Sequence, residues 1–214
     1  MSDKKRILIV DDHQILRRGL AMLINMEPDL EVCGEAEDVQ GGLNAVAATH
    51  PDLVLTDISL KNSNGVQLIK QVNAEYPRIP LLAISMHDES IYAERALRAG
   101  ARGYITKKVA EEKIIEAIHQ VLSGKIYLND TASELVMQCL LGSQDQDLSS
   151  LLSDREFEVF CLIGRGLRAS AISKELNLSI KTIETYQANM KVKLNLSSAK
   201  ELNEYAIMWA KTSL

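Results

Sequence analysis

Short apolar runs alternate with helical patterns along the first 125 residues of the 214-residue chain. Each run is bordered by polar or turn-forming residues, which is typical of a strand buried on both faces of a parallel sheet. Between the runs, apolar residues recur every three or four positions, which predicts amphipathic helices. The alternation predicts an α/β domain whose parallel sheet is covered by helices on both faces. The five runs are residues 7–10, 30–33, 53–55, 80–84 and 103–105.

Residues 149–214 lack strand patterns and predict four short helices. Ser153 followed by Glu156 forms a capping box at the start of the first helix. Ser179 is the expected N-cap of the third helix, and residues 201–210 form the fourth. The turn at 177–179 is as short as a helix-turn-helix requires. The pattern therefore predicts an all-α, four-helix helix-turn-helix domain.

A polar, acidic stretch separates these two regions. Residues 142–147 have the composition of a linker, whereas 131–141 could form one short helix. We therefore predict a first domain over residues 1–124, a linker over 125–148 and a second domain over 149–214.

The charge of the chain is unevenly distributed. The net charge is −5, which argues against nonspecific binding of the whole chain to nucleic acid or membranes. Only residues 149–214 are positive, with nine bases against seven acids. The three cysteines are far apart and predict neither a disulfide framework nor a zinc site. The first apolar run is too short for a signal peptide or a membrane span, so we expect a cytoplasmic protein.

Three acidic residues follow two strands that we expect to be neighbours in the sheet. Asp11 and Asp12 directly follow the first strand, and Asp57 ends the third. Carboxylates that converge at one sheet edge repel each other unless a cation neutralises them, and oxygen ligands suit Mg²⁺. A carboxylate beside Mg²⁺ can attack phosphorus and form an acyl phosphate. Ser85 and Lys107, at the next two strand ends, would stabilise the phosphoryl oxygens.

Each of these residues also has a simpler interpretation. Asp57 or the Asp11–Asp12 pair could cap a turn, Ser85 could be a turn residue, and Lys107 could be a solvated surface lysine. Their joint placement at the ends of four strands favours the phosphoryl-transfer site.

Residues 6–122 resemble a response-regulator receiver domain, which has a flavodoxin-like (βα)5 fold. The resemblance implies that Asp57 is the phosphoacceptor and that a histidine kinase is the phosphodonor. It also implies a Mg²⁺ site formed by Asp12, Asp57 and the backbone carbonyl of Ser59, with Asp11 acting largely through water. The residues that carry the resemblance are Asp11, Asp12, Asp57, Ser85, Tyr104 and Lys107.

The same resemblance implies that Ser85 and Tyr104 form a switch pair. A phosphoryl group adds nearly two negative charges and three acceptor oxygens, which would attract the Ser85 hydroxyl. The Tyr104 ring could then turn inward. Without the resemblance, Tyr104 would be interpreted as an ordinary half-buried strand aromatic. Lys108 stands where the family usually has proline or an acid.

The third helix of the carboxyl-terminal region has a polar face that suits DNA. In a helix-turn-helix this helix enters the major groove with its amino end first. Lysines suit phosphates, whereas Glu184 and Gln187 suit base edges. The alternative is a plain solvated face of a helical bundle. The residues of this face are Lys181, Thr182, Glu184, Thr185, Gln187, Ala188, Lys191 and Lys193.

Residues 152–156 and 181–185 resemble the motifs of LuxR-type helix-turn-helix domains. With a receiver in front, the whole chain resembles a two-component regulator of the NarL/FixJ type. Tyr186 and Gln187 stand where the family commonly has His-Arg. This difference predicts fewer contacts with DNA phosphates and a weaker dependence of DNA affinity on salt concentration. The resemblance implies a homodimer on activation, with Glu201, Tyr205 and Met208 on the dimer surface of the fourth helix.

The leading hypothesis is a transcription regulator that is controlled by phosphorylation and binds double-stranded promoter DNA. Phosphotransfer to Asp57 would shift a mostly monomeric state towards a dimer. The receiver would assist only its own phosphorylation and dephosphorylation, so we do not expect an enzyme. One alternative is a phosphatase-like hydrolase, although Ser59 occupies the place where those enzymes usually have a second acid. Another is a DNA-binding protein whose receiver acts without phosphorylation.

Overall fold

The computed structural model describes residues 4–60, 64–86, 89–128, 148, 151–176 and 178–213. The chain divides into two compact units, Met1–Leu135 and Val136–Leu214. The division falls inside the stretch that we predict to be a linker. The proposed bounds of 1–124, 125–148 and 149–214 remain a prediction, and the possible helix at 131–141 lies outside the described residues.

The first unit contains five strands, each followed by a helix, as the apolar pattern predicts. Helix α5 starts directly at Lys107, so no loop separates it from the last strand. The peptide bond between Lys107 and Lys108 is trans. The elements are β1 (Lys5–Val10), α1 (Gln14–Met26), β2 (Leu30–Ala36), α2 (Val39–Thr49), β3 (Leu53–Asp57), α3 (Gly65–Glu75), β4 (Leu81–Ser85), α4 (Glu89–Ala99), β5 (Gly103–Thr106) and α5 (Lys107–Leu122).

All five strands are parallel, in the order β2-β1-β3-β4-β5. Strand β3 is therefore central and has β1 on one side and β4 on the other. Val10 is in register with Thr56, and Ser85 is in register with Thr106. The carboxyl ends of β1, β3, β4 and β5 thus meet at one edge of the sheet.

The central strands are buried along their whole length. Every residue of β3, β4 and β5 is buried, which explains why these segments are continuous apolar runs rather than alternating patterns. Alternate residues of β1 face the two helical layers, and Ile7 and Ile9 pack in a cluster with residues of α1 and α5. Full burial of one such side chain contributes about 1.5–3 kcal/mol.

Four helices form the described part of the second unit: α6 (Asp154–Gly164), α7 (Ala169–Glu175), α8 (Ile180–Lys193) and α9 (Ala199–Ser213). The predicted capping box is present, because Ser153 Oγ accepts a hydrogen bond from the amide of Glu156, whose carboxylate accepts one from the amide of Ser153. Ser179 caps α8 through the amide of Thr182. The helix-turn-helix prediction is confirmed at the level of fold.

The apolar residues of the second unit do not all enter its core. Leu151 is apolar but 46% exposed. Phe157, Phe160 and Trp209 form an aromatic cluster. The centroid of the Trp209 ring lies 5.6 Å from the ring centroid of each phenylalanine. None of the helices in the described part of the chain combines the length and apolarity that a membrane span requires.

Candidate functional site: an acidic cluster and a recognition helix

Asp57 lies at the carboxyl end of the central strand and is 1% exposed. Its Oδ2 atom accepts a hydrogen bond of 2.7 Å from Nζ of Lys107, and its Oδ1 atom accepts one of 3.2 Å from the amide of Ser59. Fifty positions separate Asp57 from Lys107 in the sequence. The parallel topology brings them together because β4 is the only strand between β3 and β5.

The two acids after β1 lie beside Asp57. Asp11 is completely buried, its Oδ1 accepts a hydrogen bond from the amide of His13 at 2.7 Å, and its Oδ2 forms a 2.8 Å ion pair with Lys107. Asp12 is partly exposed, but its Oδ1 atom is buried and accepts no hydrogen bond from any described residue. The sequence prediction that these strand-end acids converge with Lys107 agrees with this geometry.

Burial and neighbouring charge act in opposite directions on Asp57. Desolvation by burial raises the pKa of its carboxyl, the ammonium of Lys107 lowers it, and the charge of Asp11 raises it, with a net pKa of about 6. For Lys107, burial lowers the pKa, but Asp57 and Asp11 outweigh it, and the net pKa is above its usual value. Lys107 therefore stays protonated and holds the carboxylates together.

The donor set fits a divalent cation. Three carboxylates face one ammonium, which leaves two negative charges uncompensated in a largely buried site. The buried Oδ1 atom of Asp12 has no hydrogen-bond donor among the described residues, and a metal ion would satisfy it. Carboxylate oxygens with access to water are the ligands that Mg²⁺ prefers.

Ser85 and Tyr104 lie on the neighbouring strands β4 and β5. Ser85 is the last residue of β4, and both side chains are completely buried. Tyr104 is therefore more deeply buried than the half-buried strand aromatic that its sequence context alone predicts. The predicted rotation between an outward and an inward position remains a prediction, as does the role of the Ser59 carbonyl as a metal ligand.

The structure adds three residues to the site that the sequence analysis did not identify. Nδ1 of His13 lies 2.9 Å from Oδ1 of Asp12. Arg17, one turn further along α1, donates a hydrogen bond to the carbonyl of Asp11 and forms a 2.9 Å ion pair with Glu35 of β2. Two sequence features could have identified His13 and Arg17 as site residues. His13 directly follows Asp12, and Arg17 lies four positions, about one helical turn, after His13.

Helix α8 presents the predicted DNA-facing residues to solvent to different degrees. Lys181, Glu184, Thr185, Ala188 and Lys193 are exposed, whereas Thr182, Gln187 and Lys191 are half-buried. Ile183 and Met190 lie on the opposite side, in the core.

One lysine of this face is already engaged within the domain. Nζ of Lys193 lies 2.6 Å from Oε2 of Glu156 at the start of α6. The contacts of α8 with DNA bases and phosphates remain predictions.

The predicted dimer residues share one exposed face of α9. Glu201, Tyr205 and Met208 are spaced by four and three positions and are all exposed, Met208 by 67%. The sequence prediction of a partner surface here is consistent with that exposure but is not tested by it.

Comparison with known proteins identifies both units. Residues 7–119 match the family model of the response regulator receiver domain, and residues 150–206 match that of bacterial regulatory proteins of the luxR family. The oxygen regulatory protein NreC of Staphylococcus carnosus is 32% identical over 209 residues, 94% of this chain and 96% of that protein. NreC of Staphylococcus aureus is 31% identical over 209 residues, with the same coverage.

Solved structures that are similar to this chain include two response regulators. RcsB of Salmonella enterica serovar Typhimurium, bound to promoter DNA in the presence of the phosphomimetic BeF3⁻, is 25% identical with a TM-score of 0.62, over 95% of this chain and 98% of that one. A two-component response regulator from an Aurantimonas species is 28% identical with a TM-score of 0.61, over 65% of this chain and all of that one.

The five-stranded sheet with its acidic edge is a receiver domain, and the four helices that follow form a LuxR-type DNA-binding domain. The chain belongs to the two-component response regulators that join these two domains, the NarL/FixJ type. It is a DNA-binding transcriptional response regulator.

Proposed function

We propose that Asp57 accepts a phosphoryl group from a histidine kinase and that this modification controls DNA binding by the second domain. The observation that carries the proposal is the pairing of Asp57 Oδ2 with Lys107 Nζ at 2.7 Å, beside the buried carboxylate of Asp11. A buried carboxylate that shares one fixed ammonium with an acidic neighbour is suited to a reaction that brings in a cation and a phosphoryl group.

In the reaction, a carboxylate oxygen of Asp57 attacks the phosphorus of a phosphohistidine. The new O–P bond forms an acyl phosphate as the N–P bond breaks, and the imidazole of the kinase leaves. Lys107 donates to the phosphoryl oxygens, and Ser85, the last residue of the adjacent strand β4, supplies a second donor. Asp11, Asp12, Asp57 and the backbone carbonyl of Ser59 would hold Mg²⁺, which supplies positive charge to the transferring group.

The output of the modification is a change in association. Phosphorylation shifts a mostly monomeric protein towards a homodimer through α9, and the dimer places two copies of α8 in successive major grooves of promoter DNA. RcsB, which is similar to this chain over 95% of its length, has been solved bound to promoter DNA in the presence of a phosphomimetic, and this supports a link between phosphorylation and DNA binding. A protein with this role acts in the cytoplasm, where kinase and DNA are both accessible.

We further propose that the receiver is not a turnover enzyme. Ser59 lies two positions after Asp57, where aspartyl-phosphate hydrolases usually have the second acid that protonates the leaving group. The chemistry is then limited to the phosphorylation and dephosphorylation of Asp57 itself.

The first test is phosphate incorporation from acetyl phosphate with Mg²⁺, followed by intact-mass spectrometry. We expect the wild-type protein to gain one phosphoryl group, Asp57→Asn to gain none, and Asp52→Asn to behave as wild type. Asp52 is a matched control because it precedes the opposite end of the same strand, where it pairs with Lys5. Incorporation into Asp57→Asn would remove the assignment.

The second test is footprinting on genomic fragments with and without the phosphodonor. We expect protection to appear or to strengthen with acetyl phosphate in the wild type but not in Asp57→Asn. Identical protection in both proteins would favour a receiver that acts without phosphorylation.

A further inference from the structure

His13 brings a nitrogen atom into the acidic site. Its Nδ1 atom lies 2.9 Å from Oδ1 of Asp12, 3.3 Å from Oδ1 of Asp11 and 3.9 Å from Oδ2 of Asp57. One ligand atom from each of these four residues can be chosen so that all four lie within 4.8 Å of one another. The imidazole is therefore inside the same cluster as the carboxylates.

These distances match those between ligands of one metal ion. Ligand atoms about 2.0–2.2 Å from an ion stand about 2.8–3.1 Å apart when they are adjacent in an octahedron, and about 4.0–4.4 Å apart when they are opposite. The His13–Asp12 distance corresponds to an adjacent pair, and the His13–Asp57 distance approaches that of an opposite pair.

The contact between His13 and Asp12 joins a ring nitrogen to a buried carboxylate oxygen. Nδ1 of His13 lies 2.9 Å from Oδ1 of Asp12. Two ligands of one metal ion can have this separation.

The position of His13 in the chain leaves its ring available. His13 is the N-cap residue of α1, but its side chain makes no capping hydrogen bond. Its backbone amide donates to Oδ1 of Asp11 and its carbonyl accepts from the amide of Arg17, so the backbone is fixed next to the acids. The side chain is 62% exposed, so an ion and its water ligands can reach it.

We propose that Nδ1 of His13 is an additional protein ligand of the metal site and gives it a preference for imidazole-binding divalent ions, such as Zn²⁺, over Mg²⁺. Mg²⁺ favours oxygen and retains its water, whereas first-row transition ions accept imidazole readily. This inference rests on the proposed metal site formed by Asp11, Asp12 and Asp57 and assigns a further residue to it.

The test compares ion binding by the full-length chain and two variants. The protein is stripped of metal with a chelator and kept reduced, and Mg²⁺ and Zn²⁺ are titrated separately by calorimetry. His13→Ala removes the proposed ligand, and His119→Ala is the matched control, because His119 pairs with Asp29 on the surface of the same unit. We expect His13→Ala to lower the ratio of Zn²⁺ to Mg²⁺ affinity by at least about tenfold and His119→Ala to leave it unchanged.

Pulsed electron paramagnetic resonance of bound Mn²⁺ provides a direct readout. We expect hyperfine coupling to a directly bound nitrogen in the wild type and in His119→Ala, and its loss in His13→Ala. This measurement does not depend on phosphorylation or on the stability of a variant, since the wild-type spectrum alone reports nitrogen ligation.

The outcomes separate this inference from the proposed function. If His13 acted only as a positive charge, its removal would tighten Mg²⁺ and Zn²⁺ binding equally, which would overturn the ligand assignment while the metal site remained. An unchanged affinity ratio together with no nitrogen coupling would also overturn it. Failure of the wild type to bind Mg²⁺ would instead refute the metal site proposed above.

Discussion

Lys193 at the end of α8 forms a 2.6 Å ion pair with Glu156 at the start of α6. Glu156 also completes the capping box with Ser153, and it is only 3% exposed. One carboxylate therefore closes the first turn of α6 and fastens the last turn of the recognition helix to it. The orientation of α8 relative to α6 depends on this contact as well as on the apolar core.

We expect Glu156→Gln to destabilise the second unit by about 1–2 kcal/mol, because it weakens the cap and removes the ion pair. Trp209 is the only tryptophan in the chain and packs in the core of this unit, so its fluorescence reports the unfolding directly. Glu175→Gln is the matched control, because Glu175 is exposed on α7.

The same variant should change the dependence of stability on pH. Burial raises the pKa of Glu156, but Lys193 and the two hydrogen bonds from Ser153 lower it by a larger amount. The net pKa therefore lies below the ordinary value of 4.5. A carboxyl whose pKa is lower in the folded state than in the unfolded state stabilises the fold at pH values above its unfolded-state pKa. This stabilisation is lost as the pH falls through the folded-state pKa. Wild-type stability should therefore fall more steeply below about pH 4.5 than that of Glu156→Gln. Parallel profiles would contradict the ion pair.

Gly65 is required by a close approach of two backbones next to the phosphoacceptor. A Cβ atom at this position would lie 1.9 Å from the carbonyl oxygen of Asp57. We expect Gly65→Ala to displace the end of β3, to cost at least about 3 kcal/mol and to impair phosphorylation from acetyl phosphate. Calorimetry and intact-mass spectrometry measure the two effects.

Gly19 supplies the control for that substitution. It lies inside α1, and a Cβ atom there would contact nothing within 4 Å. Gly19→Ala should stabilise the first unit by about 0.5–1 kcal/mol, because alanine favours the helix. Equal effects of the two substitutions would contradict the steric role of Gly65.

The position of the acidic cluster was predictable from the sequence because it depends only on where the strands end and on their parallel pairing. Apolar runs define the strands, parallel pairing aligns their carboxyl ends, and Asp11, Asp57 and Lys107 follow at the edge. The roles of His13 and Arg17 were not predictable, since they depend on the direction that the chain takes after β1. The contact of Lys193 with Glu156 joins residues 37 positions apart and depends on how the helices pack. The exposure of Leu151 likewise depends on packing rather than on its apolar character.

The Asp12 carboxylate is expected to lower the stability of the metal-free protein, because the acidic cluster is already formed before a cation binds. Its carboxylate lies within the cluster formed with Asp11 and Asp57, where three negative charges face one ammonium. We expect Asp12→Asn to raise the stability of the metal-free protein by about 1 kcal/mol, because it relieves like-charge repulsion. The variant should also lose the stabilisation that Mg²⁺ gives the wild type.

Calorimetric unfolding with a chelator and with excess Mg²⁺ measures both effects. Asp38→Asn is the control, because Asp38 caps α2 away from the site and asparagine preserves the cap. Retention of the Mg²⁺ effect in Asp12→Asn would exclude Asp12 as a ligand.

Lys181 lies exposed at the amino end of α8, where a recognition helix meets the DNA backbone. We expect Lys181→Ala to weaken binding to duplex DNA at every sequence tested and to reduce the slope of log affinity against log salt by about 1. Fluorescence anisotropy over a salt series measures both quantities. Lys200→Ala, which removes an 84% exposed lysine of α9, should leave the slope unchanged. An equal loss for both variants would argue for a diffuse charge effect rather than a contact made by α8.

Met208 is 67% exposed on the face of α9 that also carries Glu201 and Tyr205. A second copy of this face would bury the methionine, whereas a charge there would cost desolvation energy without a partner. Met208→Glu should therefore keep the phosphorylated protein monomeric in sedimentation experiments and reduce its affinity for promoter DNA by at least about tenfold, because two half-sites are no longer bound together. Asn203→Glu adds the same charge on a different face of α9 and should still form the dimer. Dimerisation of Met208→Glu at the wild-type concentration would place the partner surface elsewhere.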